Sequence, residues 1–384
     1  MVASPPSSHS NKAVKRAGEA LAGSLREDRD RWDEVVEVFK IAHEWRQSHA
    51  IPMHHIRQEL RRNISKVQLT GITAARMKRM VSIRRKLRNS TTTLLQMQDI
   101  GGCRAIVESM ADLHALVRYY RDGGSRHILR RETSYLDKPR NSGYRSHHFV
   151  LDYCAPTEVT AALNGRRIEL QIRTQLQHSW ATAVEAVGLV RREDMKAGEG
   201  DPGWLRLFEL VSAEQAEAEG TPIVSRVPDA SERRAELIDL NQKLDAIRTL
   251  QNLKKAFKVA QHYQTDSEYF LIQYDNEAGT VDVRGYNSLN AGDGADALSS
   301  QERANASLTT VLVEVAKMED LRAAYPNYFG DVTLFVQNLR KIVTNSSIAL
   351  QPGKGPVPSS PPDLSWVNTW QTDRLTIRRR RRQI

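Results

Sequence analysis

Two short runs constrain this chain most: YRSHHFVLDY at 144–153 and RIELQIR at 167–173. Each alternates large apolar and polar residues over part of its length. That period of two belongs to a strand with one buried face. On the other face the first run carries Tyr144, Ser146 and His148, and the second carries Glu169, Gln171 and Arg173. Set side by side, two such strands put an aromatic ring, an imidazole, a carboxylate, an amide and a guanidinium into one cleft. A polar strand face is usually just solvated. A solvated face rarely holds this set with a Pro139-Arg140-Asn141-Ser142-Gly143 turn feeding it.

The next constraint is charge. Between Arg57 and Arg88 there are 11 Lys or Arg against one acid, Glu59. ARMKRMVSIRRKLRN at 75–89 reads as a short strand leading into a helix near Ser82. If the whole piece is helical, Lys78, Ser82 and Lys86 share a face. If Ser82 opens the helix, its hydroxyl and the free backbone N–H groups make an anion site. Both arrangements suit a polyphosphate; a basic helix that meets RNA backbone or simply stays soluble is the other reading. Asp99 precedes Gly101-Gly102 and a strand, CRAIV. It is either a turn residue or, with Glu169, one of two carboxylates for Mg²⁺, which keeps its other positions for phosphate and water.

Net charge is +10 with a pI near 9.6, pointing to polyanionic partners. No apolar run reaches the roughly 18–20 residues of a membrane helix, and MVASPPSSHSNKAVKR lacks a signal peptide's apolar core. The two cysteines, Cys103 and Cys154, make neither a disulfide framework nor a zinc set. A reducing cytoplasmic compartment fits.

Along the chain, residues 1–20 read as disordered. An amphipathic helix runs from Ser24, capped with Glu27, to about Ala50, and a basic helix follows Pro52. Helices are expected at 111–121 and 175–190. The interval 192–228 reads as a linker, followed by one long helix over about 230–265. Its stripe of Leu237, Leu240, Leu244, Ile247, Leu250, Leu253 and Phe257 demands burial on the first domain or on a partner helix, the latter giving a homo-oligomer. A β-hairpin across Asn276–Gly279, a helix at about 298–307, a strand at 311–316 and helices near 318–324 and 332–344 make a small α+β domain ending near 345. The tail 346–384 ends in Arg378–Arg382, a disordered arm for polyanions.

The ordered set Arg76-Met-Lys78, Ser82, Lys86, Arg88, DIGGCRAI, DKPRNSGYRSHH, IELQIRT and HSWAT resembles the synthetase domain of the RelA/SpoT-homologue family, in its small single-function form. The resemblance spans about 76–189, within a domain of 21–191 that includes the leading helices. It implies an α+β fold: a nucleotidyltransferase-like mixed sheet flanked by helices, with the long helix and small α+β domain after it. It also implies Mg²⁺-dependent transfer of pyrophosphate from ATP to the 3′-hydroxyl of GDP or GTP, making an alarmone. Carried over by position, Arg76, Lys78, Ser82, Lys86, Arg88 and Arg104 face ATP. Asp99 and Glu169 are catalytic and hold the metal. Tyr144 stacks on the acceptor base, with Arg140, His148, Gln171 and Arg173 around it.

Departures from the family pattern gather on the acceptor side: Arg140 for a lysine, Ser142 for an asparagine, His147 for an aliphatic residue and Glu185-Ala186 for Glu-His. The hydrolase half of the long members is not recognisable. Rival readings keep the chemistry but pyrophosphorylate the tRNA 3′ end or make adenosine alarmones, as toxins do, or abandon catalysis for RNA binding.

Overall fold

The computed structural model describes residues 9–23, 32–191, 193–256 and, with short interruptions, 258–350. The expected Ser24–Glu27 cap, most of the helix expected at 298–307, Phe257 and the Arg378–Arg382 arm lie outside the described residues. Residues up to Gln351 make up one compact unit.

Nine strands form one mixed sheet among the described residues: β1 Gly71–Met77, β2 Gly101–Val107, β3 Ile128–Ser134, β4 His147–Asp152, β5 Arg167–Thr174, β6 Lys258–His262, β7 Tyr269–Asp275, β8 Thr280–Tyr286 and β9 Leu308–Glu314. Their spatial order is β3-β4-β5-β2-β1-β9-β7-β8-β6. The β2–β5 and β6–β8 pairs are parallel and the others antiparallel. The α+β, mixed-sheet class expected from the sequence is therefore present. The C-terminal portion departs from expectation in one respect. Its strands extend the same sheet, because β9 pairs with β1 (Ala75 with Glu314, Arg76 with Val313).

Period two decides the faces. Ala75, Met77, Cys103, Ala105, Val107, Phe149, Leu151, Ile168, Leu170 and Ile172 enter one apolar cluster. Helices α3 (Ala50–Lys66) and α5 (Met110–Arg121) pack on that side. The alternate residues Ala74 and Ile106 join a second cluster with α6 (Gln175–Arg191) and α7 (Pro202–Ala218). Arg76, Arg104, Glu169, Gln171 and Arg173 share the parity of this second face. Gly101 lies against α3 and β5: a Cβ there would lie 3.4 Å from Met53 Cβ of α3 and 2.7 Å from Ile168 Cδ1 of β5.

Several segments differ from their sequence reading. Residues 11–20, part of the stretch expected to be disordered, lie in α1 (Asn11–Ala22), with the Ser10 hydroxyl accepting from Ala13 N at 3.2 Å and Val14 and Leu21 fully buried. Helix α2 (Trp32–Gln47) precedes α3, which begins at Ala50 with Pro52 in its first turn, where no backbone hydrogen bond is lost. Basic α4 runs Met80–Asn89. The expected linker holds α7: Asp201 caps it and Pro202 opens it, so two apparent breakers are start signals. The long helix is two, α8 (Ala230–Leu244) and α9 (Ala246–Ala256), divided where Asp245 takes a left-handed φ of 46°. Leu237 and Leu250 are fully buried in the chain's own core, with Leu240, Leu244 and Ile247 packed beside them, so most of the stripe is covered without a partner. The expected 269–286 hairpin is the β7–β8 pair, and α10 (Met318–Ala324) and α11 (Thr333–Val343) follow β9. No helix among the described residues is long and apolar enough to cross a membrane.

Candidate active site

The polar side of β1, β2 and β5, the 140–144 turn, the start of α4 and the inner side of α6 enclose a cavity of about 620 Å³. Arg76, Lys78, Ser82, Asp99, Arg104, Arg140, Tyr144, His148, Glu169, Gln171 and Arg173 all line it. Three sequence-predicted residues sit elsewhere or differently. Lys86 is outside the cavity lining and reaches it only through its pair with Asp99, 2.9 Å away. Arg88 points off the outer side of α4, its Nη2 donating to Gly23 O at 3.3 Å. Ser146 is fully buried and donates to Ile172 O at 3.2 Å, so it braces β4 rather than facing the cavity.

Helix α4 begins at Met80, leaving Ser82 in its first turn and Lys78 in the bend before it. Both alternatives for this stretch are partly realised: the Ser82 hydroxyl lies in the first turn of α4, with Lys78 and Lys86 converging on Asp99 from either side. The Lys78 and Lys86 ammoniums each lie 2.9 Å from one oxygen of Asp99. Parallel pairing sets Glu169 against Gly102 on β2, so Asp99, three residues earlier, shares that end of the site.

Glu169 anchors the β4–β5 side of the cavity. His148 Nδ1 lies 2.9 Å from its Oε1, and Gln171 Nε2 donates to Oε2 at 2.7 Å. Burial works to raise its carboxyl; the His148 hydrogen bond and charge, Gln171 and Lys78 outweigh that and hold it at about 2. His148 Nε2 meets Tyr144 OH at 2.8 Å. Arg173 donates to the same hydroxyl at 2.5 Å and to Gln171 Oε1 at 3.0 Å. The Arg173 guanidinium lies 5.1 Å from the Tyr144 ring centre and that of Arg140 5.8 Å. The result is one hydrogen-bonded chain from the aromatic ring to the carboxylate.

Three features were missed from sequence. First, α7 holds the 140–144 turn: Ser212 donates to Gly143 O, and Arg226, just beyond α7, donates to Asn141 O at 3.0 Å. Gly143 has φ +85°, and a Cβ there would lie 2.8 Å from Ser212 Cβ, so only glycine fits this close approach. An Asp-Pro start followed by Leu207, Phe208, Leu210 and Val211 was the available signal. Second, the segment 193–199 after α6 brings Glu193, Asp194 and Lys196 to the cavity. Third, the C-terminal segment reaches the Arg104 side of the cavity. Arg104 Nη1 donates to Ala324 O at 2.9 Å and its guanidinium lies 5.3 Å from the Tyr325 ring centre, while Tyr328 lines the cavity. Pairing so distant in sequence leaves no local signature.

Among the described residues no group of three or more His, Cys, Asp or Glu could hold a metal. Asp99 and Glu169 open into one cavity, and two carboxylates are a set that Mg²⁺ takes alongside phosphate and water; the Lys78 and Lys86 ammoniums occupy the oxygens of Asp99.

Residues 75–188 match the model of the region found in RelA / SpoT proteins. No curated protein is significantly similar to the chain. Solved structures that match include a GTP pyrophosphokinase family protein from Streptococcus pneumoniae, at 21% identity over 56% of this chain and 97% of that one, with a TM-score of 0.38. A protein from Streptococcus mutans matches at 24% identity over 44% and 88%, with a TM-score of 0.37. Small alarmone synthetase 1 from Bacillus subtilis bound to AMPCPP matches at 19% over 49% and 91%, with a TM-score of 0.35. The matched segment supplies every sequence-predicted residue of the cavity, and over residues 75–188 the chain carries the region found in RelA / SpoT proteins.

Proposed function

We propose that the cavity transfers pyrophosphate from ATP to the 3′-hydroxyl of GDP or GTP. The observation that carries this reading is the meeting of Asp99 and Glu169 in one cavity whose cations flank them and whose far side holds the Tyr144 chain. Phosphoryl-type transfer needs positioning and charge neutralisation more than covalent chemistry.

Arg76, Lys78, Ser82, Lys86 and Arg104 bind the donor phosphates, with Lys78 and Lys86 exchanging Asp99 for phosphate. Asp99 and Glu169 would hold Mg²⁺, whose chemistry when bound is to neutralise phosphate charge. Tyr144 takes the acceptor base against its ring, and Arg140, His148 and Arg173 meet acceptor phosphate. A carboxyl held at about 2 is a weak base near neutral pH, so Glu169 draws on the attacking hydroxyl's proton mainly by its negative charge.

The test offers labelled ATP with GDP, GTP, ADP, AMP or tRNA separately. Product with GDP or GTP supports the reading; none with any acceptor overturns it. One observation favours a second reading, an acceptor larger than a mononucleotide such as the tRNA 3′ end. A further cavity of about 670 Å³ adjoins the first through Arg140, Ser142, Trp180 and Lys196 and runs toward Arg206 and Arg226. Product with tRNA alone would select it.

The hold on Arg104 by the C-terminal segment has a measurable consequence. Tyr325→Ala removes the ring beside the guanidinium and should tighten binding of a non-hydrolysable ATP about threefold to tenfold, the worth of a partly buried cation–π contact. Titration calorimetry on a variant shown folded by circular dichroism measures this, and weaker binding would remove Arg104 from the donor set.

A further inference from the structure

The 193–199 segment lies beyond the matched region, and its construction is specific. Glu193 N donates to Gly188 O at 2.9 Å, closing the turn off α6. Gly188 is required there, since a Cβ would lie 2.7 Å from Glu193 O. Met195 is 3% exposed and plugs the second apolar cluster. Asp194 and Glu199 form a bridge, Gly198 turns at φ +82°, and Arg85 of α4 pairs with Asp194. Anchored at both ends, the segment presents Lys196 at the cavity mouth, its side chain 37% exposed and its ammonium on the Glu185 carboxylate of α6.

Glu185 is a single carboxylate among cations. Lys196, Arg76 and Arg104 act on it, in that order, and against the burial that would raise it they hold it far below the ordinary range. Arg173, from the acceptor side, lies close enough to Lys196 to oppose its charge, as does Arg76 from the donor side. Lys196 therefore lines the same cavity as Arg76 and Arg173 and feels the charge of both.

We propose that Lys196 is a further phosphate-binding residue of this cavity, contacting the oligophosphate of the substrate, and that Glu185 is the partner which phosphate displaces. The inference rests on the reading of the cavity as a pyrophosphate-transfer site, but it is tested separately from it. The donor groups facing Lys196 are Arg76 of β1 and Arg173 of β5, with Glu185 of α6 and Asp194 and Glu193 of its own segment as the nearby acids. Handing Lys196 over to phosphate leaves the Glu185 carboxylate to Arg76 and Arg104, which already act on it, so the exchange does not strand a buried charge.

The experiment is calorimetric titration of the full chain with inorganic tripolyphosphate, beside the labelled-ATP transfer assay. Lys196→Met, shown folded by circular dichroism, should bind tripolyphosphate roughly tenfold to a hundredfold more weakly, the loss of one charge-assisted hydrogen bond. Lys196→Arg should restore affinity to within about threefold. Glu185→Gln, which removes the competing carboxylate, should bind about fivefold more tightly. Unchanged affinity in Lys196→Met, no rescue by Lys196→Arg, or no tripolyphosphate binding by the wild-type chain overturns the inference. A wild-type chain that binds tripolyphosphate through Lys196 but makes no product overturns only the transfer reading.

Discussion

Asp99→Asn and Glu169→Gln should each lower transfer from ATP by about 10³-fold, roughly 4 kcal/mol of transition-state stabilisation. Each change keeps the shape of the side chain and deletes one full negative charge at the proposed metal position. The fold should survive both. Asp99 is a half-buried partner of two lysines, Lys78 and Lys86, at 2.9 Å each. Pairs of this kind are worth about 1 kcal/mol or less. Glu169→Gln keeps an acceptor for Gln171 but gives His148 a neutral partner in place of a charge. Steady-state assays of the two variants, with unfolding midpoints as the control, measure the effect. Activity within tenfold of wild type in both would remove the two-carboxylate mechanism. Because the carboxyl of Glu169 is held at about 2, its charge is complete throughout the neutral range, so no loss of rate between pH 5 and 8 should trace to its protonation.

The second large effect concerns stability. Glu314→Ala should destabilise the folded chain by about 3–5 kcal/mol, because it leaves Arg57 buried without its counter-ion. Glu314 Oε1 accepts from Arg57 Nε at 2.7 Å, with Arg57 Nη2 at ion-pair distance, 2.6 Å, and His54 Nδ1 at 2.6 Å; Arg57 is fully buried and Glu314 is 2% exposed. Denaturant unfolding followed by circular dichroism reads the change, and a loss below about 1 kcal/mol would contradict it. The double variant Arg57→Met with Glu314→Leu should recover most of the loss, since an apolar pair of similar volume carries no desolvation cost. The sign of the pH effect is also determined. Burial works to raise the Glu314 carboxyl, but His54 and Arg57 outweigh it and hold it below the ordinary range. Its stabilisation is therefore present above the unfolded carboxylate's titration and lost as the pH falls through the folded one. The same strand pairs Val313 with Arg76, so loosening β9 should also weaken binding on the donor side.

The sheet's polar face was legible before any coordinates. Period two separates Glu169, Gln171 and Arg173 from Ile168, Leu170 and Ile172, and register then aligns His148 with Gln171. Local chemistry also carried the hairpin of β7 and β8, α5, α6 and the glycines of β2. It misled where a single residue has two meanings. Pro202 and Asp201 resemble linker residues but start a helix, and Asp245 interrupts a perfect apolar stripe through a left-handed φ that no neighbour announces. Ser10 at the head of α1 was lost in a Ser/Pro-rich stretch.

The sequence by itself determined which side chains share a face along β5, because alternation along a strand is a local property of the backbone. Only the tertiary structure decided what presses on them: Glu314 against Arg57, Ala324 and Tyr325 against Arg104, Lys196 against Glu185, and α7 against the 140–144 turn. The physical reason is that such contacts join segments far apart in the chain. Each segment is locally consistent with several partners, and the burial and pairing of charge that select one exist only once the sheet has closed.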